Sequence, residues 1–184
     1  MKKLIVFIFF SISLNLFSQK FNVTPDGLRS NSDLEKKYLV IECEGKSATQ
    51  LYDDMIKYIN KEYKNPDKVI KGKIEGEYLK FDTYNPNMFT YNSSGVNVPI
   101  NANYTTELSF KDGKIKFEII SLLMKSDKYI MSVLFSGGML GGYIIYKKNG
   151  KLFKESAKND IESYFNSYVS SLSSYLNGGG NDDW

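Results

Sequence analysis

The tripeptide Gly45-Lys46-Ser47 is the sequence feature with the most obvious chemical potential, because a phosphate-binding loop ends in the same residue types. That loop needs another glycine five residues before Gly45, and this position is Val40 in an apolar run. Without that glycine, no loop of backbone N–H groups can surround a phosphate. We therefore interpret the tripeptide as a turn followed by a helix N-cap.

The residue counts exclude most nucleophilic and metal chemistry. The chain contains 0 His, 1 Cys and a single Arg, Arg29. A Ser-His or Cys-His pair, an imidazole metal ligand, an internal disulfide and a thiolate zinc site are therefore impossible. A serine-lysine mechanism is closed as well, since no Lys has a Ser three positions before it. We predict no catalytic residue, no metal site and no cofactor, and we expect Cys43 to be buried.

Carboxylate pairs are the remaining candidates for acid-base catalysis. Glu42 and Glu44 flank Cys43, and Asp53 and Asp54 are adjacent in the chain. Adjacent acids on a helix point in different directions, and both aspartates fall on the polar side of the predicted helix. Solvated surface is the favoured interpretation, and a glycan-acting enzyme that uses carboxylates only stays open as an alternative function.

One polar face of a predicted antiparallel sheet is the favoured candidate for binding. Apolar and polar residues alternate over 78–84, 104–110 and 114–120, which places one apolar face inward and leaves the other open to solvent. On this open face we expect Tyr78, Lys80, Asp82, Tyr84, Glu107, Lys114 and Lys116. Aromatic side chains between charges suit contact with a protein or a glycan. An ordinary solvated sheet face is the competing interpretation.

The elements that must position this face follow an α+β order of strand, helix, strands and helix. We predict a strand over 38–43, a helix from the Ser47/Gln50 capping box towards Pro66, strands over 69–74, 78–84, 104–110 and 114–120, and a helix over 155–177. Both helices are expected to pack on one face of the antiparallel sheet. The stretch 121–153 is unassigned, although 129–135 fits a strand and 143–153 fits a hairpin.

The mature chain is predicted to form one domain over 37–177, after an extended lead-in over 19–36 and before a mobile tail over 178–184. Within that domain, 85–101 is rich in Asn and Pro and is predicted to be a long loop insertion or an irregular edge, and 136–142 is predicted to be a glycine-rich linker. The uncharged stretch 130–146 is short for a membrane span and contains four glycines. Strands joined by the linker are favoured there, and contact with a membrane surface is a further alternative.

The first 18 residues have the layout of a secretory signal peptide. Lys2 and Lys3 precede an uncharged run over 4–17, which ends in Ser18 before the polar residue Gln19. Cleavage after Ser18 leaves 166 of 184 residues and lowers the net charge from +3 to +1, because two lysines leave. A near-neutral chain with one Arg lacks the cationic surface that nucleic acid needs. We expect an exported protein, periplasmic or secreted, with no nucleic-acid partner and no stable membrane span after cleavage.

Several short motifs are distributed along the chain. In the first half they are Thr24-Pro25-Asp26-Gly27-Leu28, Gly45-Lys46-Ser47, Leu51-Tyr52 and Asn65-Pro66-Asp67-Lys68-Val69-Ile70. In the second half they are LSFKDGKIKF over 108–117, Tyr164-Phe165-Asn166, Leu172 and Asp182-Asp183-Trp184. Together they resemble a family of exported bacterial proteins, typical of Bacteroidota, that carry a domain of unknown function with a TBP-like fold. The resemblance covers 38–122 well and the rest loosely, and it implies the same element order and no catalytic residues.

The favoured function is a non-catalytic binding or interaction domain of the bacterial envelope. Its contact surface would be the open sheet face, with the glycine-rich segment 136–142 as a second contact. An envelope protein or a glycan is the expected partner.

Overall fold

A computed structural model describes residues 19–93, 95–129, 131–137 and 143–179. The elements in chain order are β1 (Phe21–Thr24), β2 (Gly27–Ser30), β3 (Tyr38–Glu42), α1 (Ala48–Glu62), α2 (Pro66–Val69), β4 (Ile70–Ile74), β5 (Tyr78–Ser93), β6 (Val96–Lys111), β7 (Lys114–Ser126), β8 (Met131–Leu134), β9 (Tyr143–Ile144) and α3 (Glu155–Ser174), which continues into a π-helical turn over Tyr175–Gly179. The predicted signal peptide, residues 138–142 of the predicted linker and residues 180–184 of the predicted tail lie outside the described residues.

A single sheet forms the body of the protein, with strand order β4-β5-β6-β7-β8-β9. The strand β3 pairs with the first part of β7, and β8 pairs with its last three residues. The pairs in this sheet are antiparallel except for β8 with β9, which is parallel. The predicted α+β class with a largely antiparallel sheet is confirmed.

The β6–β7 hairpin turns at Asp112-Gly113, as its sequence predicts. Of the two expectations for 85–101, the long loop is wrong, because β5 and β6 continue as paired strands through most of it, whereas this part of β5 is an irregular edge. A β-bulge between Asn85 and Phe89 accommodates Pro86. Because β4 pairs with β5 only as far as Phe81, the outer edge of β5 is unpaired at Pro86, and its missing N–H breaks no ladder bond.

The lead-in over 19–36 contains a hairpin, β1–β2, where only an extended segment was expected. Its buried side chains pack into the core, and its backbone is held by α3. Asn166 accepts a hydrogen bond from the Phe21 N–H at 2.7 Å and donates one to the Phe21 carbonyl at 3.0 Å. Glu162 accepts from the Val23 N–H at 2.7 Å. The partners lie about 140 positions apart in sequence, so no local pattern predicts this hairpin.

Replacing Asn166 by Ala is expected to lower the free energy of unfolding by about 1–3 kcal/mol. The change leaves the N–H and C=O of the buried residue Phe21 without their side-chain partner. Urea unfolding followed by circular dichroism measures the effect. Asn159→Ala is the matched control, because Asn159 is exposed on the same helix and should change the free energy by less than about 0.5 kcal/mol. Equal losses in both variants would contradict the proposed anchoring.

The helix α1 begins as predicted from Gly45-Lys46-Ser47. Ser47 accepts from the Gln50 N–H at 3.2 Å, and the Gln50 side chain accepts from the Ser47 N–H at 2.8 Å, which completes the capping box. The Lys46 ammonium donates to Asp54 at 2.7 Å. The one cation of the tripeptide is thus paired within the protein, which agrees with the structural interpretation.

Aromatic contacts join both long helices to β6. The Tyr52 ring of α1 meets Phe110 with ring centroids 5.7 Å apart, and the Phe165 ring of α3 meets Tyr104 at 5.2 Å. Phe165 has no exposed surface. Edge-to-face pairs of this kind add to the stabilisation that burial provides.

Candidate functional site

The open face of the sheet brings four of the predicted residues together. Lys80 on β5 lies opposite Glu107 on β6, and Tyr78 lies two residues earlier on the same side of β5. Lys116 on β7 lies opposite Ser109, the next open-face residue along β6. The period-two alternation of three paired strands produces this arrangement.

Two of these side chains bond to each other, and residues beside the group hold Lys116. Tyr78 donates its hydroxyl to Glu107 at 2.9 Å, and Lys116 pairs with Glu118 at 2.8 Å while its ammonium lies 4.9 Å from the Tyr38 ring centroid. The hydrogen bond to Glu118 raises the pKa of Lys116 despite its partial burial. This part of the face carries two lysines and two glutamates, so its formal charges balance: Lys80, Lys116, Glu107 and Glu118.

The other three predicted residues extend the same side of the strands beyond that group: Asp82 and Tyr84 follow Lys80 on β5, and Lys114 precedes Lys116 on β7. Lys114 is exposed at the start of β7, opposite Glu42 and Lys111. Asp82 accepts a hydrogen bond from the Thr105 hydroxyl at 2.7 Å. Tyr84 lines a cleft of about 330 Å³ that crosses β5, β6 and β7.

The cleft at Tyr84 combines apolar and polar side chains. Tyr84 and Leu123 are 54% and 49% exposed, although both are large and hydrophobic. Asn103, Thr105 and Ser121 supply amide and hydroxyl groups between them. A second cleft, of about 210 Å³, shares Ser121 and continues past the exposed Ile120 to Arg29 in the β1–β2 hairpin.

A polar network beside the β5 bulge holds Tyr84 in place. The Tyr84 hydroxyl donates to Asp127 at 3.3 Å, and the Asn101 amide donates to the same carboxylate oxygen at 2.6 Å. Asn101 also accepts from the N–H of Asn87, which has a left-handed φ of 54°. Asparagine tolerates that conformation better than most residues, which suits it to the bulge. The sequence analysis missed this network because it favoured a loop over 85–101, and the five asparagines of that segment were the available signal.

A cluster of tyrosine hydroxyls lies where α3 packs against β5 and β6. The Tyr104 and Tyr164 hydroxyl oxygens are 2.7 Å apart, and the Tyr63 hydroxyl lies 2.6 Å from the Thr83 hydroxyl. The Tyr168 hydroxyl is buried among the hydroxyls of Tyr63, Tyr104 and Tyr58. Burial, reinforced by the neighbouring Tyr164, raises the pKa of Tyr104 well above its ordinary value. The sequence analysis predicted a helix over 155–177 and did not detect that the hydroxyls of Tyr164 and Tyr168 converge with others.

The carboxylates of the glycan-acting alternative do not form a site in the structure. Glu42, Glu44 and Asp53 are exposed, and Asp54 is paired with Lys46 and Lys57 at 2.7 and 3.8 Å. None of the four lines the cleft at Tyr84 or the groove beside α3. These contacts give them the role of surface charges.

Metal and thiol chemistry find no support in the part of the chain that the structure describes. Nowhere in it do three or more Asp, Glu or Cys side chains meet in a way that could hold a metal ion. Cys43 is buried, as predicted. Burial raises the pKa of its thiol to about 11, so the thiolate nucleophile is scarce at neutral pH.

The uncharged stretch 130–146 contributes several side chains to the core. Val133, Tyr143 and Ile145 are buried. The Tyr146 hydroxyl donates to the Val23 carbonyl at 2.7 Å, which ties this stretch to the N-terminal hairpin. These four side chains are therefore unavailable to a membrane surface. Within the described ranges, no helix is both long and apolar enough to span a bilayer.

Comparison with known proteins supports the fold. No family model matches the chain, and a search of curated proteins found no match. Among solved structures, the chain is similar to a crystal structure of a DUF4468 family protein from Bacteroides ovatus, with a TM-score of 0.51 and 16% identity over 77% of this chain and 84% of that one. At this identity the likeness shows a shared fold. The protein therefore has the fold of a bacterial domain whose family is named for an unknown function.

Proposed function

We propose that this protein is an exported, non-catalytic binding domain of the bacterial envelope that engages a protein partner through the open face of its sheet. The observation that carries the proposal is the cleft at Tyr84. There, two large apolar side chains are about half exposed on a sheet face whose other side chains are largely paired with one another.

The composition of this surface suits a protein interface. Such interfaces place aromatic and aliphatic side chains at the centre and charged groups at the rim. Tyr84 and Leu123 would form the centre, and Lys80, Glu107 and Lys116 the rim. Because Asp127 already orients the Tyr84 ring, little side-chain entropy is lost when a partner covers it. The adjoining cleft towards Arg29 would lengthen the contact.

We further infer a TBP-like arrangement in which α1 and α3 share the opposite face. The ring contacts of Tyr52 with Phe110 and of Phe165 with Tyr104 support it, because Phe110 and Tyr104 are both inward-facing residues of β6. With both helices on that side, the Tyr84 side stays uncovered. We infer export because a basic segment, an apolar segment and a polar start follow one another over residues 1–19, as in a signal peptide.

Affinity capture from envelope extract tests the proposal. The exported protein, recovered with the mass of a chain that begins at Gln19, is crosslinked to its neighbours, and each candidate partner is purified and titrated against it by calorimetry. Tyr84→Ser combined with Leu123→Ser should weaken binding about tenfold or more, as expected when central interface residues are truncated.

Leu34→Ser is the matched control, because Leu34 is 55% exposed but belongs to neither cleft. It should leave the affinity unchanged. A purified partner that binds the double variant as tightly as the wild type would refute the role of the open face. Recovery of the protein with residues 1–18 still attached would refute the proposed export.

A further inference from the structure

A long groove runs beside α3 on the helix side of the sheet, away from the open face. Its volume is about 610 Å³, within the range of small-molecule sites. Side chains from α1, the bulged part of β5 and α3 line it. The stretch of α3 from Asp160 to Ser171 rises about 16 Å, so the groove is long enough for an extended ligand.

One wall of the groove is a row of hydroxyl groups. Ser163, Ser167 and Ser171 follow one another at four-residue spacing and share a face of α3. All three are exposed. Each hydroxyl can donate one hydrogen bond and accept others, so the row matches a ligand whose own groups both donate and accept.

Aromatic rings supply the apolar part of the lining, notably Tyr58, Phe89, Tyr164 and Tyr168. Contacts on the protein side hold the Tyr164 ring in place. Its ring centroid lies 5.1 Å from that of Phe165, and its hydroxyl oxygen lies 2.7 Å from that of Tyr104. Tyr168 contributes a ring to the lining while its hydroxyl is buried within the protein. Contacts inside the protein therefore hold this wall of the groove in place.

The charge of the lining limits the class of ligand. The described residues that line the groove include no Lys and no Arg, so a phosphate, carboxylate or nucleic acid would lack a countercharge. A purely apolar ligand would bury the serine hydroxyls without giving them hydrogen-bond partners, which costs free energy. Asp160, at one end, can accept two hydrogen bonds from neighbouring hydroxyls of a ligand.

We propose that the groove beside α3 binds a short neutral oligosaccharide. The sugar rings would lie against the tyrosine rings, and the sugar hydroxyls would exchange hydrogen bonds with the serine row and Asp160. This site is separate from the proposed protein-binding face and does not depend on it.

Titration followed by two-dimensional NMR tests the proposal. The purified protein is titrated with maltotriose, cellotriose, mannotriose and chitotriose as neutral probes, with trigalacturonate as the anionic probe and with choline as the cationic probe. At least one neutral trisaccharide should bind and shift the amide signals of 160–171. Ser167→Trp fills the groove and should weaken that binding about tenfold or more.

Ser170→Trp is the control, because Ser170 is equally exposed on α3 but does not line the groove. This variant should bind the trisaccharide as tightly as the wild type does. Its free energy of unfolding shows how much a surface tryptophan on this helix changes stability. The proposal is overturned if no neutral trisaccharide binds, if the shifts fall outside the groove, if choline or trigalacturonate binds more tightly than every neutral probe, or if both tryptophan variants lose binding equally.

Discussion

Replacing Phe165 by Ala is expected to lower the free energy of unfolding by about 3–5 kcal/mol. Phe165 has no exposed surface, and its ring packs edge-on against Tyr104 at 5.2 Å and Tyr164 at 5.1 Å. Truncation removes this buried area and leaves a cavity where α3 meets β6. Urea unfolding followed by circular dichroism measures the change.

Phe153→Ala is the control for this core substitution, because Phe153 is 50% exposed and its main partner is the Lys154 ammonium, 4.7 Å from its ring centroid. It should cost about 1 kcal/mol or less. Phe165→Leu keeps an apolar side chain and should lose less than Phe165→Ala, which gives a measurable variant if the alanine form unfolds. A smaller loss from Phe165→Ala than from Phe153→Ala would show that α3 is not held through this contact.

Raising the pH above about 10 is expected to unfold the protein cooperatively. Burial raises the pKa of Tyr58 and of Tyr143 to about 12, and it also raises the pKa values of Tyr104 and Tyr168 well above their ordinary value. In the unfolded chain each phenol ionises near pH 10, whereas in the folded chain it keeps its proton. The unfolded state then binds fewer protons, so stability falls as pH rises. Each such tyrosine contributes a slope of about 1.4 kcal/mol per pH unit between the two pKa values.

Tyrosinate absorbance and circular dichroism, recorded together against pH, test this prediction. The two signals should change in one transition for the buried phenols. In Tyr104→Phe the free energy of unfolding should fall less steeply with pH, by about 1.4 kcal/mol per unit, whatever the substitution costs at pH 7. Tyr129→Phe, at an exposed site, should keep the wild-type slope. Ionisation of all the tyrosines near pH 10 with secondary structure retained would be the opposite result.

Local patterns determined the elements that carry the open face. The Ser47/Gln50 capping box and the Asp112-Gly113 turn each depend on residues within a few positions of one another, and both form as predicted. Strict alternation placed Tyr78, Lys80, Glu107 and Lys116 on one side of paired strands for the same reason, because side-chain direction in a strand follows from position alone. The chemistry excluded by the absence of His and by the single Cys also follows from composition without any structure.

Irregular strand positions could not be predicted in this way. Beyond the bulge beside Pro86, the side chains of β5 and β6 still alternate between the two faces of the sheet. A second bulge, in β7 opposite Thr105 and Thr106, shifts the alternation of β7 by one residue, so that Met124 faces the core. The first bulge inserts two residues into β5 and the second inserts one into β7. A period-two pattern contains none of these residues, so an Asn- and Pro-rich strand looks like a loop. The same limitation hid the contact of Asn101 with Asp127 that orients Tyr84.

The amino-acid sequence by itself determined which chemistry is absent, where α1 and the central strands lie and which residues face away from the core. Only the tertiary structure decided that the β1–β2 hairpin docks on Asn166, that tyrosine hydroxyls from α1, β6 and α3 converge, and that clefts form at Tyr84 and beside α3. The physical reason is the range of the interactions. Propensity, capping and alternation act between neighbours in the chain, whereas these contacts join residues far apart in sequence whose meeting depends on how the whole core packs.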